Sequence, residues 1–240
     1  MAYDPFKPHT MTRAEAEAAQ IDVGLRRYML QVYNYMASGI TLTGVFAYLT
    51  ATYEPLRNAI FGTPLVWVVM LAPLAAVFFL SFSINRIKFS TAQAVFWVYS
   101  ALMGMSLASI FLVFTGTSIA RVFFITAGTF GAMSLYGYTT KRDLSQFGSF
   151  LFMGLIGIVI ASVVNMFMHS TGLQFAISVI GVLLFTGLTA YDTQRIKELY
   201  SDLDDSEIFG KKALMGALTL YLDFINLFIM LMQLLGNRRD

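Results

Sequence analysis

Long hydrophobic runs alternate with short polar segments along almost the whole chain. Seven of the runs reach the about 20 apolar residues that a helix needs to cross the hydrocarbon core of a bilayer, and they cover residues 28–52, 64–85, 91–114, 119–138, 147–168, 173–192 and 213–235. Because the connections are short, no room remains for a separate soluble domain. The pattern predicts an all-α polytopic membrane protein, a seven-transmembrane-helix bundle.

The polar N-terminal segment predicts the only region outside this bundle. Residues 1–11 have little hydrophobic pattern, and Thr12 followed by Glu15 has the spacing of a capping box that opens a helix. We therefore expect residues 1–27 to form a cytoplasmic tail with a short amphipathic helix that runs into the first span. Residues 28–240 are expected to form one transmembrane bundle.

Composition and charge agree with a membrane protein and suggest its orientation. Only 12% of the residues are charged, compared with about 25% in soluble domains. Of the 16 Lys and Arg residues, twelve lie in segments that an N-inside topology places in the cytoplasm, as the positive-inside rule requires. Arg238 and Arg239 would then lie outside, unless the last run is re-entrant and returns the C-terminus to the cytoplasm. The expected location is a membrane, with the N-terminus in the cytoplasm.

The absence of cysteine excludes disulfides and thiolate metal sites. No resident cofactor is expected. No nucleic-acid-binding element is visible either, so the expected surroundings are lipid and other membrane proteins.

One charge interrupts the last hydrophobic run. An aspartate near the bilayer midplane costs on the order of 3 kcal/mol, so such residues usually face a bundle interior or a water-filled path. Asp223 shares a narrow helical stripe with Thr219, Asn226 and Gln233. The stripe predicts one polar helix face, with Thr219 and Asn226 as candidates to line a pore.

Asp192 lies at the end of the sixth run, and the sequence is compatible with two depths in the membrane. The helical pattern can continue to about Tyr200, which would place Asp192 one to two turns inside the membrane. If the boundary lies at Tyr191 instead, Asp192 is an ordinary interfacial charge. In the N-inside topology both Asp192 and Asp223 approach the cytoplasmic half of the bundle.

Two inward-facing aspartates on adjacent helices could form a switch. Packed helices lie about 8–10 Å apart, and like charges in a low-dielectric site cannot both ionise cheaply, so Asp192 and Asp223 could share one proton. They could also bind Ca2+, with Thr219 or Asn226 completing the oxygen ligands. Alternatively, each aspartate satisfies its own backbone or tyrosine neighbour.

Other residues carry weaker patterns. Arg86, at the cytoplasmic end of the second run, could pair with Asp192 as a latch, or could extend to the lipid headgroups. The small-residue pairs Gly104 with Ala108 and Ala127 with Gly131 predict close helix contacts.

Three segments of the chain resemble one known family. Residues 21–36 (IDVGLRRYMLQVYNYM), 191–197 (YDTQRIK) and 218–228 (LTLYLDFINLF) are similar to the bacterial branch of the Bax inhibitor-1 family, the transmembrane Bax inhibitor motif proteins. The resemblance covers essentially the whole chain, and the two later segments are its specific part.

This resemblance implies a function as well as a fold. It implies a bundle with a central last helix and a pH-sensitive calcium leak controlled by a di-aspartyl pair, which by motif position is Asp192 and Asp223. The family's arginine latch would map to Arg86. Bacterial relatives are also linked to modulation of a membrane-bound protease and to stress survival, so a non-conducting regulator is the alternative function.

Enzymatic readings fit the residues less well. An intramembrane aspartyl protease has a Gly-x-Gly-Asp motif, whereas Leu220, Tyr221 and Leu222 precede Asp223 and their side chains would block the approach of a substrate backbone. The acidic segment 201–207 lacks the glycine and the closing glutamate of an EF-hand and reads as a solvated loop that caps the last helix. We expect a Ca2+ leak or channel rather than an enzyme.

Overall fold

Helices make up the architecture of the chain. The computed structural model describes the backbone of residues 13–239 and the side chains of residues 22–239, so the predicted tail and the capping box at Thr12 lie outside the described residues. Its eight helices are α1 (Arg13–Thr52), α2 (Glu54–Phe61), α3 (Leu65–Ser83), α4 (Phe89–Val113), α5 (Gly116–Thr139), α6 (Ser145–Met168), α7 (Thr171–Glu198) and α8 (Ser206–Leu235).

The prediction of an all-α membrane protein is confirmed, but the count of seven spans is not. Six helices, α3 to α8, are long and apolar enough to cross a membrane. α1 has 40 residues, but polar residues such as Asn34 and Thr41 dilute its hydrophobic half. The predicted short N-terminal helix and the first run are one continuous helix.

α2 is the helix that the hydrophobic pattern missed. It has eight residues, and a proline in its first turn fixes a backbone angle that suits a helix start. Its ion pair, Arg57 Nη2 to Glu54 Oε1 at 3.7 Å, is largely exposed and contributes little. A helix this short and polar has no membrane-spanning signature.

α8 is the most buried of the six candidate spans. It packs against α7, α1, α5 and α4, and one of its faces carries an aromatic contact in which the Tyr221 and Tyr99 rings are 5.2 Å apart. The Tyr221 hydroxyl is 2.6 Å from Thr43 Oγ1 of α1. α6, by contrast, packs mainly on α7, which leaves space between α6 and α8.

Only one of the two predicted small-residue contacts is present. A Cβ at Gly104 would stand 2.4 Å from the Thr43 carbonyl oxygen, whereas a Cβ at Gly131 would meet nothing within 4 Å. The close approach on α5 lies instead at Gly137, where a Cβ would stand 2.2 Å from the Ala190 oxygen. The Ala127 and Gly131 prediction is therefore wrong, because Gly131 faces the outside of the bundle.

The bundle has two distinct ends. At one end, Gly24 of α1 lies against Tyr200, since a Cβ at Gly24 would meet the Tyr200 hydroxyl. We call this the basic end, and its loops are 84–88, 140–144 and 199–205. At the opposite end, Arg238 pairs with Phe114 in an isolated bridge. α8 is one uninterrupted helix between these ends, so within the described residues it contains no re-entrant break.

Candidate functional site

A cavity of about 600 Å³ lies between α6, α7 and α8. It occupies the space that α6 leaves beside α8, in the half of the bundle nearer the basic end. Apolar side chains form much of its wall. Its polar lining residues come from all three helices and are Ser149, Tyr191, Asp192, Arg195, Thr219, Asp223 and Asn226.

The two predicted aspartates meet in this cavity. Asp223 is 5% exposed, and its Oδ2 has no hydrogen-bond donor among the described residues. Asp192 is partly buried on α7, and both aspartate side chains line this one cavity. Two carboxyl groups at close range can form a hydrogen bond only when at least one of them carries a proton.

The extent of α7 and its packing on α8 explain this meeting. α7 continues to Glu198, so Asp192 lies more than one turn before its end. Gly216 of α8 contacts the Ile196 side chain, where an added Cβ would stand 2.9 Å away. α8 begins at the same end because Asp205 accepts hydrogen bonds from the backbone N–H groups of Glu207 and Ile208, at 2.9 and 2.8 Å. The predicted cap on the last helix is confirmed.

Thr219 and Asn226 line the cavity on either side of Asp223. Thr219 Oγ1 donates to the Met215 carbonyl at 3.1 Å, and Asn226 Nδ2 donates to the Leu222 carbonyl at 2.8 Å. These bonds use donor groups and leave the oxygen atoms of both side chains able to accept or to coordinate.

Arg86 is not brought to the aspartates. It is exposed in the turn after α3, and α3 packs on α4 and α2. The arginine that lines the cavity is Arg195, which lies three residues after Asp192 on the same helical face. Spacing of three on a helix could have identified it from the sequence.

A glutamine two residues after Asp192 ties α7 to the loop 140–144 at the basic end. Gln194 Nε2 donates to the Arg142 carbonyl at 2.8 Å, and Gln194 Oε1 accepts from the Leu144 N–H at 2.8 Å. Nearby, a Cβ at Gly148 of α6 would stand 2.7 Å from the Tyr191 hydroxyl. Sequence reasoning missed these residues, because their partners lie far away along the chain.

Gln233 belongs to a separate polar cluster at the opposite end of the same three helices. Ser178 Oγ donates to Gln233 Oε1 at 2.8 Å, and Gln174 Nε2 donates to the same oxygen. Asn165 Nδ2 of α6 donates to Gln174 Oε1 at 3.0 Å. We call Asn165, Gln174, Ser178 and Gln233 the outer cluster, and it ties α6, α7 and α8 together beyond the cavity.

The described side chains contain no group of three or more His, Cys, Asp or Glu residues that could hold a metal ion. Together with Thr219 and Asn226, the aspartate pair offers two carboxylates, one hydroxyl oxygen and one amide oxygen. Such a set suits passing contact with a hard cation better than permanent binding, because Ca2+ takes six to eight oxygen ligands.

Comparison with known proteins assigns the chain to a family. Residues 25–240 match the family model described as inhibitor of apoptosis-promoting Bax1. An uncharacterised protein of Rickettsia prowazekii (strain Madrid E) is 54% identical over 219 residues, 91% of this chain and 93% of that protein. The inner membrane protein YbhL of Escherichia coli (strain K12) is 49% identical over 219 residues, 90% of this chain and 94% of its own length.

More distant relatives carry membrane names as well. An uncharacterised membrane protein of Streptococcus pyogenes serotype M1 is 36% identical over 220 residues, 91% of this chain and 96% of that protein. With six helices apolar enough to span a bilayer, the chain is an integral membrane protein, and it belongs to the Bax inhibitor-1 family.

Proposed function

We propose that the protein is a Ca2+ leak whose opening is controlled by one proton shared between Asp192 and Asp223. The observation that carries this proposal is that both aspartates, on two helices that pack together, line one cavity of about 600 Å³. A cavity with carboxylates inside an apolar bundle is the usual setting of an ion or proton path.

The shared proton would close the path by joining α7 to α8. Removing the proton leaves two like charges at close range, which repel each other. Adding a second proton removes the negatively charged acceptor, and a hydrogen bond between two neutral carboxyl groups is weaker than one to a carboxylate. The bridge is therefore strongest over the pH interval in which the pair holds one proton, and the leak should be smallest in that interval.

The open pair would offer oxygen ligands to Ca2+. Both carboxylates, Thr219 Oγ1 and the Asn226 side-chain oxygen lie along the cavity wall, and oxygen is the ligand that hard cations prefer. The outer cluster stands between this cavity and the opposite end. It is uncharged, so it would delay a cation without trapping it.

We also propose how the protein is placed in the membrane. α1 runs beside α4 and α8, and its residues 28–52 span about 37 Å at 1.5 Å per residue, so α1 would form a seventh crossing. The basic end would face the cytoplasm, with the N-terminus inside. The name of the Escherichia coli relative supports a bacterial inner membrane.

Ca2+ entry into liposomes tests this function. The protein would be reconstituted around a Ca2+ indicator and entry recorded across pH for the wild type, Asp223→Asn, Asp192→Asn and the exposed loop control Asp202→Asn. An asparagine amide can donate to the remaining carboxyl group whether that group is ionised or protonated. We expect both pair variants to stay at the low flux of the bridged state, and Asp202→Asn to follow the wild type.

Two outcomes would contradict the proposal. A wild-type pH response in Asp223→Asn would remove the pair from control of the leak. Wild-type flux no greater than that of protein-free liposomes at every pH would exclude the leak itself, and would favour a non-conducting regulator of a membrane protease or another membrane partner.

A further inference from the structure

A second cavity of about 600 Å³ lies between α1 and α5, away from the aspartates. We call it the α1–α5 groove. α1 and α5 are not among the helix pairs that pack closely, and Leu30 and Leu135 on its rims are 52% and 63% exposed. The groove therefore opens sideways, on a surface that a bilayer covers.

The groove has one cationic end and an apolar middle. Arg26 lines it at the basic end, and none of the ion pairs among the described side chains involves Arg26. Asp22, one turn earlier on α1, is exposed and does not line the groove. Lys197 borders the same end, since its Nζ donates to the Tyr138 carbonyl at 2.9 Å and lies 5.2 Å from that ring's centroid.

The floor of the groove is polar only at one buried point, where hydroxyl groups satisfy one another. Tyr33 Oη is 2.6 Å from Ser134 Oγ, which is 3.0 Å from Thr193 Oγ1. Thr193 is the residue after Asp192 on α7. The rest of the groove is shaped for an apolar chain, and Gly131 leaves its wall open because a Cβ there would meet nothing within 4 Å.

We propose that the α1–α5 groove binds one anionic membrane phospholipid, with an acyl chain in the groove and its phosphate at Arg26. An anionic head and an apolar tail match the two ends of the groove. Basic pockets between transmembrane helices are a known type of headgroup site, and arginine binds phosphate through a planar fork of donors. This site is independent of whether the protein conducts ions.

Competition between two lipids tests the site. The detergent-solubilised, delipidated protein would be offered equal amounts of phosphatidylglycerol and phosphatidylcholine, and bound lipid would be counted by native mass spectrometry. Gly131→Phe fills the groove from α5. Gly128→Phe is the matched control, because Gly128 is equally open but does not line the groove.

We expect the wild type and Gly128→Phe to retain phosphatidylglycerol in preference to phosphatidylcholine, and Gly131→Phe to retain neither. Arg26→Gln should lower the preference about fivefold, the factor for about 1 kcal/mol per basic residue near an anionic lipid. Phosphatidylglycerol retained equally by Gly131→Phe and the wild type would overturn the proposal. So would an unchanged preference in Arg26→Gln, with the fold of each variant checked by its thermal unfolding.

Discussion

Asp223 is the residue at which burial and charge conflict most strongly. It is 5% exposed, and one of its oxygens has no donor among the described residues. A buried carboxylate without a partner is costly. In the proposed arrangement, sharing a proton with Asp192 removes one of the two negative charges and gives a hydrogen bond in return, so the pair is most stable when it holds one proton.

Arg195 should set the pH at which that state exists. Its guanidinium group lies near Asp192 and favours the ionised pair. Changing Arg195→Gln should therefore let the pair keep its proton to higher pH, and should move the flux minimum upward in pH. The liposome assay measures this directly.

Arg86→Gln is the matched control for that change. Arg86 is exposed and does not line the cavity, so its loss should leave the flux minimum where it was. A shift caused by Arg86→Gln but not by Arg195→Gln would contradict this account and would restore Arg86 as the latch.

The pair itself could be predicted from the sequence, but its surroundings could not. A carboxylate inside a hydrophobic run is recognisable because placing its charge in a bilayer costs free energy. The directions of the two neighbouring helices then predict that Asp192 and Asp223 lie at a similar depth in the membrane. Gln194 and Gly148 carry no such signal, since their partners depend on where the loop 140–144 and α6 fold back. Arg86 was predicted from its position at a cytoplasmic helix end and from the family resemblance, and the fold instead places Arg195 in the cavity with Asp192.

At the scale of helices, the polar stripe on α8 divides into two parts. Thr219, Asp223 and Asn226 line the cavity, while Gln233 joins the outer cluster with Ser178 and Gln174 of α7. The outer cluster holds the far ends of α6, α7 and α8 together, and in the proposed leak this tie would close the path beyond the cavity.

Replacing Gln233 with leucine should open that far end. The change removes the acceptor of Gln174 Nε2 and one of the two acceptors within reach of Ser178 Oγ, so it weakens the tie between α7 and α8. We expect Gln233→Leu to raise Ca2+ flux at every pH while keeping the pH of the minimum, because the aspartate pair is untouched.

Gln93→Leu provides the comparison for general loosening of the bundle. Gln93 Nε2 donates to the Tyr35 hydroxyl of α1, away from the cavity. The Gln93→Leu change should lower the thermal stability of the protein without raising the Ca2+ flux. Equal flux increases in Gln93→Leu and Gln233→Leu would show that the outer cluster has no special part in closure.

Hydropathy predicted which segments form long helices, whereas the end of α7 and the side to which Gly131 faces depend on packing. The six apolar helices follow the predicted runs closely. α2 is too short to give a hydrophobic signal, and α7 passes the end of its apolar run because its last turns pack against α8. Gly131 matched the spacing of a packing motif, but spacing does not say which side of α5 meets a neighbour.

At the scale of the whole molecule, α1 begins and α8 ends at opposite ends of the bundle. The N-terminal part of α1 and the start of α8 share the basic end, and Arg238 lies at the other end beside Phe114. The chain has no cysteine, so single introduced cysteines can report the side of each end.

Labelling from one side of the membrane tests this arrangement. In right-side-out membrane vesicles, an impermeant maleimide should label Arg238→Cys at once, and should label Lys141→Cys in the loop 140–144 only after permeabilisation. Labelling of both positions from the same side would contradict an odd number of crossings. The reverse pattern would contradict the cytoplasmic placement of the basic end.

The central claim is that Asp192 and Asp223 hold one proton between them. Infrared spectroscopy of protein with isotope-labelled aspartate can detect the carbonyl stretch of a protonated carboxyl group. The account predicts this band in the wild type and in Asp202→Asn near neutral pH, and its loss in both Asp192→Asn and Asp223→Asn. A wild-type spectrum without the band, or a band that persists in both pair variants, would contradict the shared proton.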